Sequence, residues 1–131
     1  MSRARDDEQG GPPALNEVAL RGRASAPGEE RTLPSGDVIV TLRVVVPRET
    51  PVVRRAAGSS EVRRASVDTI DVVCWTARTR RAALRLAAGD GVELGGALRR
   101  RFFGGPGGRQ SRYEVEATSV RRVARGAAVA S

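Results

Sequence analysis

The sequence predicts an all-β domain, a small closed barrel of five strands with one helix between the third and the fourth. Three observations carry this. Apolar residues recur with a period of two in five separate stretches. A run rich in Ala, Leu and Arg interrupts that period between the third and fourth stretches, and a Gly95-Gly96 pair stands inside the fourth, where a strand must bend to close a barrel. The 131 residues suffice for one domain with a modest core.

In the first strand Val18, Leu20 and Gly22 alternate with Ala19, Arg21 and Arg23. Pro34-Ser35-Gly36 is a turn signal, and the β-branched run Val38 to Val46 after it is the second strand, with Thr41, Arg43 and Val45 on one face. Residues 47–66 carry two prolines, Gly58 and the pairs Arg54-Arg55 and Arg63-Arg64, and read as a long basic loop or splayed hairpin. The third strand, Val67 to Trp75, places Ile70, Val72 and Cys74 on one face and Thr69, Asp71, Val73 and Trp75 on the other. The helix is expected over Ala77 to Ala88, with apolar contacts from Leu84 and Leu86 and a left-handed Gly89 beyond its end. The fourth strand covers Val92 to Phe103, residues 104–108 form a glycine-rich tip, and the fifth runs through Tyr113, Val115, Ala117 and Ser119 back along the fourth. This is the plan of an OB-fold, a five-stranded Greek-key barrel with one short helix between strands three and four. Residues 1–13 and 124–131 read as disordered tails around a folded unit at 14–123.

Aromatics make up only 3% of the chain, so aliphatic residues must build the core. All 23 basic residues are Arg against 15 acidic ones, and net +8 points to a polyanionic partner, nucleic acid first. No histidine and one cysteine exclude a Ser/His/Asp triad, a Cys/His pair, a zinc finger and an internal disulfide. Cys74, on an apolar face, is expected to be a buried reduced thiol. Asp68 and Asp71 point to opposite faces, which disfavours a shared metal or an acid/base pair, and the 104–108 glycines lack the Lys-Ser or Lys-Thr of a phosphate loop. The expectation is therefore no enzyme, no cofactor and no metal. The absence of an apolar N-terminal segment or a ~20-residue apolar stretch points to a cytoplasmic protein with no membrane partner.

All four aromatics, Trp75, Phe102, Phe103 and Tyr113, lie in or beside the third strand and the last hairpin. Arg99, Arg101 and Phe103 share a face, so cations and a ring alternate along one ribbon, the composition of a single-strand nucleic-acid surface. Phe102 and Phe103 face opposite ways. One of the two is expected in the core, and Phe103, beside two arginines, is the exposed one. Trp75 fits a packing residue and a stacking platform equally well, and Tyr113 could simply close a strand edge.

Asn16-Glu17-Val18, Leu20-Arg21-Gly22, Pro34-Ser35-Gly36, Arg43-Val44, Ile70-Asp71, Val73, Trp75, Leu98-Arg99 and Arg112-Tyr113-Glu114-Val115 stand in an order and spacing that resembles the bacterial single-stranded DNA-binding protein family over residues 15–123. The resemblance implies single-stranded DNA as the partner, bound without marked sequence preference in replication, recombination or repair, by a homo-oligomer, a tetramer or less often a dimer. It carries Trp75 and Phe103 onto stacking positions, Arg99 and Arg101 onto basic positions of the ribbon, Arg21 and Arg43 onto polar places of the first two strands, and Arg54, Arg55, Arg63 and Arg64 onto a loop that reaches along DNA. Arg112 and Tyr113 complete the candidate set. Thr69 stands where relatives usually carry an aromatic, Thr50 falls near another such place, and the chain ends in Gly126-Ala127-Ala128-Val129-Ala130-Ser131 rather than an acidic-hydrophobic tip, which puts recruitment of replication or repair enzymes in doubt. The rival expectation is an OB-fold protein-protein adaptor with weak or lost DNA binding.

Overall fold

The computed structural model describes residues 10–49, 66–104 and 107–126. Its elements are β1 (Val18–Ala24), β2 (Glu29–Thr32), β3 (Val38–Pro47), β4 (Val67–Cys74), α1 (Ala77–Leu84), β5 (Gly91–Phe103) and β6 (Gln110–Ala124). The sheet runs β1-β5-β6-β4-β3-β2, and a further β1–β3 pairing closes five of the strands into a barrel with β2 outside it on β3. Only β4 and β6 pair in parallel. This is the expected all-β OB-fold.

The interior is aliphatic, as the scarcity of aromatics requires. Val40, Leu42 and Val44 of β3 meet Val72 and Cys74 of β4, Val92 and Leu94 of β5 and Val115 and Ala117 of β6, with Ala83 of α1 and Leu86 in the same cluster. Each such Val or Leu contributes about 1.5–3 kcal/mol by leaving water. The period-two expectation holds over most of these strands, and it lapses where both faces are covered, at Ile39-Val40 of β3 and Val72-Val73-Cys74 of β4.

Three differences from the sequence expectation have physical causes. β2 is absent from the expected elements because Glu29–Thr32 is exposed throughout and so has no apolar alternation; it is held by pairing from Glu29↔Thr41 to Thr32↔Val38 across the Pro34-Ser35-Gly36 turn. The helix stops at Leu84 rather than Ala88. Arg85 and Leu86 donate to the carbonyls of Ala82 and Ala83 in a tightened last turn, and the Asp90 carboxylate captures the Ala87 N–H at 2.9 Å. With the helix ended there, Leu84 is exposed while Leu86 is buried. The last strand is longer than expected, running to Ala124.

The glycine pair does bend the sheet. Gly95 lies opposite Ser119 and Gly96 opposite Ala117, so Thr118 is left over as a bulge. A Cβ at Gly96 would fall inside the van der Waals radius of the Glu116 carbonyl oxygen, so only glycine lets β5 and β6 approach there. Gly89 has φ of 90°, the left-handed conformation expected of it.

Asp90 fastens one end of the barrel. Its carboxylate accepts the N–H of Ala87 and, at 2.7 Å, that of Gly126, and Arg122 stands 3.7 Å away. Its backbone carbonyl accepts the Ala24 N–H at 2.9 Å. The two N–H donors, first Ala87 and then Gly126, hold its carboxyl below the usual carboxylate range.

Candidate nucleic-acid interface

Because alternate residues of each strand fill the barrel, the other set forms a continuous outer face. It carries Thr41, Arg43 and Val45 of β3, Thr69 and Asp71 of β4, Glu114 and Glu116 of β6 and Ala97, Arg99 and Arg101 of β5, with Arg21 of β1 across the bend; Val73 of β4 belongs to the same set but is buried. Trp75 follows β4 directly, 38% exposed, at the margin of this face and beside the helix-capping Thr76. The register Cys74↔Ala117 places Trp75 level with Thr118, whereas Arg101 lies opposite Arg112. At ~3.3 Å per residue the two ends are about 20 Å apart along the strands, a track several nucleotides long. By the same parallel register Thr69 is level with Arg112, at the arginine end, and is exposed.

The arginines of this face are paired. Arg99 Nε meets Glu116 at 2.9 Å, an Arg101 amine meets Glu114 at 3.4 Å, Arg43 meets Asp71 at 3.2 Å and Arg21 meets Glu93 at 2.6 Å. Glu93 is shared with Arg121, and the two guanidiniums, Arg21 first, hold its carboxyl below the ordinary range. Such exposed pairs are worth about 0–1 kcal/mol each. They orient the side chains without forbidding exchange for a phosphate.

The β5–β6 hairpin projects past the core; no described residue among 98–104 or 110–114 is buried. Phe103 ends β5 opposite Gln110, in the same alternate set as Arg99 and Arg101. Tyr113 belongs to the opposite set, paired with Arg100, and is 57% exposed. Arg112, also exposed, lies opposite Arg101. The expectation that one phenylalanine enters the core fails for Phe102, which is 51% exposed, because the barrel ends before the hairpin does and both of its faces meet solvent there. Arg54, Arg55, Arg63, Arg64 and Thr50 lie outside the described residues.

Sequence reasoning misses what surrounds Phe102. The guanidinium carbons of Arg100 and Arg109 stand over its ring at 4.8 and 4.7 Å from the centroid, and Arg100 also lies 5.6 Å from the Tyr113 centroid. The available signal is the Arg100, Phe102 spacing on the set not used by Arg99 and Arg101.

Burial pushes the Cys74 thiol up to about 11, against a smaller opposing hydrogen bond with Thr79, and among the described residues no three His, Cys, Asp or Glu side chains gather around a metal-sized space. No helix among the described residues is long and apolar enough to cross a membrane.

Comparison with known proteins adds to this geometry. A search of the curated proteins gives no match. Among solved structures the chain is similar to a Plasmodium falciparum SSB in complex with ssDNA, with a TM-score of 0.63 at 18% identity, over 85% of this chain and 95% of that one. At that identity the likeness speaks for the fold. The model of the single-strand binding protein family matches residues 15–123, nearly the whole barrel and hairpin, and the chain belongs to that family.

Proposed function

We propose that this single-stranded DNA-binding protein holds its ligand along the outer face of β3, β4, β6 and β5, with Trp75 and Phe103 stacking bases and Arg21, Arg43, Arg99, Arg101 and Arg112 neutralising phosphates. The observation that carries this reading is Trp75, a half-exposed indole in an aliphatic protein, placed at one end of a face whose other end is an arginine ribbon. Stacking on a ring is tolerant of sequence because every base has a π-face, and phosphate contacts carry no sequence information. Arg54, Arg55, Arg63 and Arg64 extend the basic track, Tyr113 contributes from the hairpin, and the protein works as a homotetramer or dimer in replication, recombination or repair. Thr69 in place of a ring, together with the carboxylate partners of Arg21, Arg43, Arg99 and Arg101, favours moderate rather than extreme affinity per subunit. The same two features are what support the rival reading, an adaptor that has lost its ligand.

Anisotropy titrations of a labelled unstructured oligonucleotide and its duplex separate the two. The single strand is expected to bind preferentially, and Trp75→Ala and Phe103→Ala are each expected to cost about 1–3 kcal/mol of affinity. Duplex preference, or full affinity in both variants, would overturn this reading, and weak or absent binding of either ligand by the wild type would favour the adaptor.

A further inference from the structure

We infer that the β5–β6 hairpin carries a second nucleic-acid track on its opposite face, built from Arg100, Phe102, Arg109 and Tyr113, so that a single strand leaving the outer face passes over the hairpin and is gripped from both sides. The inference rests on the single-strand reading above and extends it to Arg100, Phe102 and Arg109, which that reading does not use.

Arg100 lies two residues before Phe102 on β5, and Arg109 two before Ser111, the cross-strand partner of Phe102, so the two cations flank the ring along the hairpin. Both stand over it, and Arg100 also approaches Tyr113 while donating to Ser111 Oγ at 3.3 Å. Cation and ring therefore alternate in a ladder. A guanidinium lying over a ring keeps its N–H edge available, and five fixed donors on that edge suit phosphate oxygens.

Charge separates this face from the other. Arg99 and Arg101 must exchange a glutamate for each phosphate they bind. Among the described residues neither Arg100 nor Arg109 makes an ion pair, so their charge is uncompensated. Half-exposed Phe102 and Tyr113 are isolated rings that no buried cluster explains. Unneutralised cations interleaved with exposed rings fit a polyanion with stackable bases; a protein partner with an apolar contact would meet two desolvated cations.

The test compares wild type, Phe102→Ala and the Arg100→Gln/Arg109→Gln double variant on oligothymidylates at the short and long ends of the ~4 to ~16 nucleotides an OB-fold covers, at several salt concentrations. Thermal midpoints check folding; all three residues lie outside the core. The expected result is that the short oligonucleotide, which fits the Trp75 track, binds all three proteins alike. The long one is expected to bind each variant at least about fivefold more weakly, with the salt slope of the arginine variant shallower by about 1.4, or ~0.7 for each phosphate no longer neutralised. Long-strand affinity and slope equal to wild type in both variants would overturn the second track while leaving the outer-face reading intact. Equal weakening for both lengths would also overturn it, as a general structural loss. A wild-type protein that binds neither length would instead remove the reading on which it rests.

Discussion

The two faces of the β5–β6 hairpin use arginine in opposite ways. On the outer face Arg99 and Arg101 are tied to Glu116 and Glu114, and the glutamates alternate with buried Val115 and Ala117 along one strand. On the other face Arg100 and Arg109 rest on Phe102 and meet no carboxylate among the described residues. The lesson is that counting arginines overstates a binding surface. A paired arginine is oriented but neutral in sum, and a stacked one is both oriented and charged, so the second contributes more to counterion release.

The largest way to break the comparison is to remove the bend that supports the hairpin. Gly96→Val forces a side chain into the Glu116 backbone and is expected to cost about 1–3 kcal/mol of stability in a denaturant titration, with binding on both faces weakened together. Next in size, Thr69→Trp adds a ring at the arginine end of β4, level with Arg112, and is expected to tighten single-strand binding about fivefold, since one stacked base is worth at least ~1 kcal/mol. Unchanged affinity would mean that the strand does not pass over β4. A Glu114→Gln/Glu116→Gln double variant makes the outer face resemble the other by releasing Arg99 and Arg101. It is expected to raise affinity only a few-fold, in line with the ~0.2–1 kcal/mol of such pairs, and to steepen the salt dependence.

The smallest effect is on pH. Asp90 and Glu93 both have folded-state values below the ordinary carboxylate range, so the stability they contribute is present above the unfolded values and is lost as pH falls through the folded ones. Thermal midpoints are therefore expected to hold from neutral pH down to about 5 and then to decline. Asp90→Asn should flatten part of that decline at a lower midpoint, because an amide nitrogen cannot accept the Gly126 N–H.

What is legible in the sequence follows the same physical line. β1, the barrel parts of β5 and β6 and most of β3 and β4 bury one face more than the other, so each leaves a period-two trace, and the Gly95-Gly96 bend is visible as a glycine pair inside a strand. β2 leaves no trace because both of its faces are exposed. The early end of α1 depends on Asp90 reaching back to Ala87, a contact that helix propensity does not register. Alternation sends one of two adjacent rings to the core and so assigns Phe102 inward, and nothing local says that the core ends before residue 102 does. The pairing of Arg99 with Glu116 requires the register of two strands, although Glu114 and Glu116 already alternate with Val115 and Ala117 in the chain.

The central claim, that a single strand lies along the outer face with Trp75 as a platform, is tested most directly through the single tryptophan of the chain. Trp75 fluorescence would be followed while an unstructured single-stranded oligonucleotide or its duplex is added at low and high salt. The account predicts strong quenching by the single strand, weakened by salt, and little by the duplex. Binding of the single strand with the fluorescence of Trp75 unaltered would contradict it.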